Sequence, residues 1–587
     1  MKRSAVPQKY KWDLTAFAKD DEDFKIRVKN LLQYENLFKS FEGKLADEDN
    51  LLKVLNLSSE YSQEMILLYC YAKRKADENL ADSKAMERLN YISKIENQIS
   101  VASSFITPEV SKFSNAKLNS LMKNPKFSHF RLFFKDIIKE KPHILPKSEE
   151  KLLSGMGDFL DGFSSNHDAF SDADLKFNDV KDGKGRSHKY NQALYSKFMH
   201  SPDRELRKNT FAEENGAYGR FINFISNNYI SEVKANCYFA KIRKYDSALA
   251  SAISGEDAKI EVYNALIENV HKHLKLLYKY FEKKKKILGY DKFYIYDQFA
   301  PLKNSVNKTY TFEQAIELIK KAVAPLGEEY VSLIDKAVKE KWIDVMPNDG
   351  KAGGAYSSGA YGAHPVVLTN FTGDFQSVTT LAHELGHALH TYYSNLNNIF
   401  EESDYVIFVA EVASTVNEML LRLMLLNEQD SASQKSHIID ELFTDVKGTI
   451  FRQTMFAEFE EWAHEEYEKS HPLSKNKLCQ KYLELNKLYF GKGVVLTKET
   501  QFEWARIPHF YSAFYVYKYA TGLISALNIV SRILKGEEGA KQKYLNFLKS
   551  GCKKGPVELL QDAGVDLEKQ QTFDEVFAFL EDLLKEM

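Results

Sequence analysis

Residues 377–395 read SVTTLAHELGHALHTYYSN, and within them His383 and His387 stand four apart with Glu384 directly after the first. On a helix, residues four apart lie one turn above the other on a single face. Two imidazoles placed that way can close on one Zn²⁺, and the glutamate beside them can reach a water at the metal. The surrounding residues support a helix. Val378, Leu381, Leu385 and Leu389 form an apolar stripe, while Thr380, His383, Glu384 and His387 run along another side.

A catalytic zinc takes three protein ligands and keeps one position for water, whereas a structural zinc takes four. The metzincin continuation is absent, because the third residue after His387 is His390 and the sixth is Tyr393, in place of Gly and His. The apolar stretch 405–426 offers Glu411 and Glu418, seven apart on a face shared with Ser414 and Thr415 and opposite Val412, Val416, Leu420 and Leu423. Acids on an otherwise apolar helix need a partner. Glu411 is therefore expected as the third ligand, and Glu418 as a supporting acid that orients His383 or His387 through a ring N–H. His390, one turn beyond, is expected to pack or support. The run HEEYE at 464–468 carries Glu where a second His belongs and reads as a solvated helix face.

The rest of the 587-residue chain is compatible with an enzyme built on helices. Proline and glycine are few (13 and 27), and 44% of residues are apolar, enough for packed cores. With 80 basic and 82 acidic residues there is no electrostatic pull toward nucleic acid or an anionic membrane. The run Lys283–Lys286 has no aromatic array beside it and reads as a solvated face. Four scattered cysteines and a start without an apolar signal segment point to a reducing, cytoplasmic setting. Helical periodicity over 51–72 and 81–101 and a capping box at Thr311–Gln314 fit this class. A soft boundary near 190 separates an N-terminal helical domain, 1–190, from 191–587, which holds the motif. Glycine-dense 344–361 reads as a loop, and Val366–Phe371 as a strand, either a plain edge strand or one that pairs with an extended ligand.

The run TLAHELGHALH at 380–390, followed by FVAEVASTVNE at 408–418, resembles oligoendopeptidase F, a relative of thimet oligopeptidase and neurolysin. The resemblance extends to YKWDLT at 10–15, FTDVKGTIF at 443–451 and WARIPHFYSAFY at 504–515, and so covers most of the chain. It implies a mainly α fold of two helical lobes around a deep channel, with a small β element beside the metal helix. It also implies one zinc per chain held by His383, His387 and Glu411, with Glu384 as general base. The implied activity is hydrolysis of internal bonds in short unfolded peptides, with no nucleic acid, membrane or obligatory protein partner.

By composition, the segment holding Tyr511, Tyr515 and Tyr519 reads as an aromatic helix face at a spacing of four. The resemblance instead assigns His509, Tyr511 and Tyr515 to stabilising the tetrahedral intermediate, and the Gly/Tyr loop 353–362 to covering substrate. Two alternatives stay open. One is a zinc carboxypeptidase or dipeptidyl carboxypeptidase, for which Arg506 is the candidate clamp on a terminal carboxylate. The other is a catalytically silent peptide-binding protein, against which an intact Glu384 argues.

Overall fold

A computed structural model describes residues 1–154, 156–302 and 309–587. Most of it is helical, so the mainly α class holds. The chain forms two compact units. One takes residues 1–142, 307–424 and 532–564; the other takes 143–306, 425–531 and 565–587. Position 190 lies inside the second of these units.

In the first unit the helix Glu48–Asp77 covers the expected 51–72 and Ser83–Ser103 begins two residues into the expected 81–101, each opened by an aspartate whose side chain accepts first-turn backbone N–H groups. Their apolar faces bury Leu51, Leu68, Ile92 and Ile99 in one core that also includes Val366 and Leu368. The Thr311–Gln314 capping box forms in both directions. A small sheet joins this core: β1 (Ile343–Asp344), β2 (Tyr356–Ser358) and β3 (Val366–Leu368), in the order β1-β3-β2. Strand β3 runs parallel to β1 and antiparallel to β2. It is therefore the central strand, with both hydrogen-bonding edges occupied, and corrects both expectations for this stretch. Nor is 344–361 all loop, since it supplies Asp344 of β1 and the whole of edge strand β2.

Just beyond β2, a Cβ on Gly359 would lie 2.6 Å from Thr391 Cγ2, so the missing side chain lets the strand exit run against the next helix. That helix, α1 (Phe375–Asn397), carries the two histidines, and Asp374 caps it by accepting the Ser377 N–H at 2.8 Å. It buries Val378, Leu381, Leu385 and Leu389 as their spacing requires. Helix α2 (Ile407–Asn427) follows after a short turn.

The second unit contains α3 (Arg452–Glu468) and most of α4 (Tyr517–Leu534). Two expectations fail here because tertiary partners bury what the local pattern leaves open. Lys284 is buried and ion-paired with Asp440 at 2.9 Å, so the lysine run is not wholly solvated. His464 is also buried, its Nδ1 2.8 Å from Glu460 O, and burial pushes its pKa down to about 4. Only the neighbouring Glu465 and Tyr467 of that run face solvent with Glu468. Among the described residues no helix is long and apolar enough to cross a membrane.

Candidate metal centre

Helices α1 and α2 bring His383, His387 and Glu411 together, with one ligand atom of each within 4.8 Å of the others. The two Nε2 atoms are 3.1 Å apart, and Glu411 Oε2 lies 3.5 Å from the first and 3.6 Å from the second. Glu418 Oε1 is 2.6 Å from His383 Nδ1. A carboxylate there accepts the Nδ1 hydrogen, which leaves Nε2 with a lone pair facing the other two donors. Ser414 Oγ sits 3.3 Å from Glu411 Oε2 and limits its swing. All three potential ligands are half-buried. Two imidazoles and one carboxylate around a common point suit a zinc ion.

The close approach of the helices depends on Gly386, between the two histidines. A Cβ there would lie 2.6 Å from Ser414 Cα and 2.7 Å from Ala413 O, so any larger residue would push α2 away. Asn417 ties the same pair, donating to Ala382 O at 3.1 Å while accepting from Tyr330 Oη at 2.9 Å. Neither Gly386 nor Asn417 was singled out by spacing, although a glycine inside a helix is itself a signal of tight packing.

Glu384 is buried beside the cluster. Burial raises its carboxyl pKa, with the His383 and His387 imidazoles pulling the other way. His390 stacks on Tyr405 at 3.8 Å, and burial holds its pKa down to about 3, so it packs as a neutral ring.

His509, Tyr511 and Tyr515 lie in the second unit, on a chain that is not one helix. A 3₁₀ turn, Pro508–Tyr511, ends before α4 begins at Tyr517, and Phe514 between them has φ +54°. The four-residue spacing therefore does not align Tyr511 with the later tyrosines. Tyr515 lies nearly parallel to His509, centroids 6.3 Å apart, and Tyr519 Oη is 3.4 Å from His509 Nε2. Tyr511 instead packs against His167 and Tyr229, at 4.8 and 6.2 Å, with its hydroxyl buried and so not open to solvent. Arg506 is not a free clamp either. It pairs with Glu503 at 3.2 Å and lies over the Tyr195 ring at 5.0 Å.

Residues 197–579 match the family described as Peptidase family M3, and residues 109–177 match Oligopeptidase F. The chain is 35% identical over its full length to oligopeptidase PepF of Bacillus subtilis, covering 88% of that protein. It is 34% identical to group B oligopeptidase PepB of Streptococcus agalactiae, covering 100% of this chain and 98% of that one. Oligoendopeptidase-F of Enterococcus faecium superposes with a TM-score of 0.73 at 28% identity, over 96% of this chain and 98% of that one. A family match across the helices that carry the His383, His387 and Glu411 cluster leaves one assignment: the chain belongs to peptidase family M3, as a metalloendopeptidase of the oligoendopeptidase F kind.

Proposed function

We propose that the protein is a zinc endopeptidase that cuts internal bonds of short unfolded peptides, with His383, His387 and Glu411 holding the ion. The convergence of three donor atoms within 4.8 Å carries this reading. A bound zinc would supply the Lewis acidity that polarises the scissile carbonyl and acidifies the attacking water. Glu384 acts as general base, taking a proton from that water on a carboxylate oxygen and passing it to the leaving amine nitrogen. Its burial beside the donors excludes competing solvent from that transfer. Glu418 fixes the tautomer of His383. His509 and Tyr515 donate hydrogen bonds to the developing oxyanion. A cytoplasmic setting fits four cysteines that are all unpaired.

The carboxypeptidase alternative loses support, since its clamp candidate Arg506 is closed in an ion pair with Glu503. One experiment separates the readings. The zinc content of the purified chain is measured, and an internally quenched peptide blocked at both ends is offered as substrate. One zinc per chain with internal cleavage is expected. Cleavage only of the peptide with a free carboxyl end would favour the exopeptidase, and a zinc-loaded chain that cuts neither would make it a silent binder.

A further inference from the structure

Glu460, on α3, is a buried acid with no counter-ion against it. One carboxyl oxygen, Oε1, accepts the backbone N–H of Phe514 at 2.8 Å, while Oε2 has no hydrogen-bond partner. The charged groups that act on it are Glu232, which opposes ionisation, and Lys518, whose ammonium is already paired with Glu256. Burial therefore raises the carboxyl pKa well above the usual carboxylate range. A half-satisfied polar group inside a core is unfavourable, so the single bond it makes is the part of its environment that needs explaining.

That bond ends on the strained residue of the turn. Phe514 sits at φ +54°, a region in which a bulky side chain is an outlier. Its ring is fixed in the core against His464 and Tyr263, at 4.7 and 6.0 Å. The turn it makes reverses the chain between the 3₁₀ segment and α4, and so folds Tyr515 back beside His509. With an ordinary φ at Phe514, Tyr515 would leave His509 in another direction. Without Glu460, the buried Phe514 N–H would lose its acceptor.

We propose that Glu460 is a positioning residue for the peptidase reaction: by accepting the Phe514 N–H it holds the left-handed turn that sets Tyr515 against His509. The inference rests on the reading of His509 and Tyr515 as oxyanion donors. Lys518 acts on the same tyrosine from its face, with Nζ 4.4 Å from the ring centroid.

The test uses the full-length, metal-loaded enzyme and the doubly blocked peptide. Glu460→Gln keeps an acceptor of equal reach and leaves kcat within about threefold, whereas Glu460→Met keeps the volume, removes the acceptor and lowers kcat about 30-fold. In Glu460→Met, KM and bound metal stay near wild type, because the substitution changes the turn and not the ligands. In a Tyr515→Phe background the same Glu460→Met change adds nothing further to the loss, since the group being positioned is gone. Should Glu460→Met not fold, Glu460→Asp, one methylene short of the Phe514 N–H, reads the same loss. A Tyr515→Phe enzyme with wild-type kcat overturns the donor reading and the positioning with it. Loss in Tyr515→Phe beside wild-type kcat in Glu460→Met, or losses that multiply in the double variant, overturn the positioning alone.

Discussion

Two clusters of charge in this chain are each built around a glutamate and differ in completeness. In the second unit, Glu503 is surrounded: Oε1 accepts from Arg452 at 2.6 Å and from Arg506 at 3.2 Å, and Oε2 from the Tyr482 hydroxyl at 3.0 Å. In the first unit, Glu411 meets the Nε2 atoms of two imidazoles at 3.5 and 3.6 Å, and on His383 the other nitrogen, Nδ1, has its hydrogen committed to Glu418. In the first set the carboxylate has cations of its own. The second points several lone pairs at one place and has no cation of its own, which is the arrangement a metal ion completes. Buried charge alone does not mark a site; charge left unbalanced in a consistent geometry does.

The sharpest way to test the contrast is Glu384→Gln, which should lower kcat by about 10³-fold while metal content, read by elemental analysis, stays at wild type. Parallel loss of metal and turnover would instead place Glu384 among the ligands. Next, Glu503→Gln leaves two half-buried guanidinium groups facing a neutral amide and should cost about 3 kcal/mol of stability in denaturant titration, with metal affinity untouched. Glu418→Leu should weaken metal binding about 10-fold to 100-fold in a competition assay, because His383 loses the acceptor that fixes its tautomer. The smallest effect concerns Lys447, a buried lysine whose Nζ has no hydrogen-bond acceptor and lies 4.4 Å from the Phe299 ring. Burial lowers its pKa to about 7 from 10.5, so the unfolded chain holds more protons between those values and stability rises with pH across that window. Lys447→Met should therefore raise Tm by a few degrees below pH 7, with the gain shrinking toward pH 10.5. An equal gain at every pH would show that packing, not charge, is responsible.

The same contrast explains what could be read from the sequence. Along α1 and α2 the chain is continuously helical, so positions 383, 387, 411 and 418 translate directly into faces, and acids on an apolar stripe stand out. Around 505–519 that translation fails. The spacing of Tyr511 and Tyr515 means one helix face only if the chain stays helical, and it breaks at Phe514 through a bond to Glu460, 54 residues away. Lys284 and His464 are met by partners distant in sequence, Asp440 and Asn236, which local periodicity cannot show, whereas Glu503, three residues before Arg506, lies within its reach. Strand β3 looked like an edge because its pairing with β1 is set by residues about two dozen positions earlier.

Gly386 has a thermodynamic consequence. Because the bare backbone at that position lets α1 and α2 touch, the donors for one ion come from both helices, and an unfolded chain presents no comparable set. A metal ion there acts as a reversible crosslink between the two helices, and its concentration becomes a variable of folding. At a free metal concentration 100 times Kd the linkage is worth about 2.7 kcal/mol. Chelation would then melt the unit that holds the helix pair at a lower temperature, so availability of the ion governs how long the folded enzyme persists as well as whether it can cut.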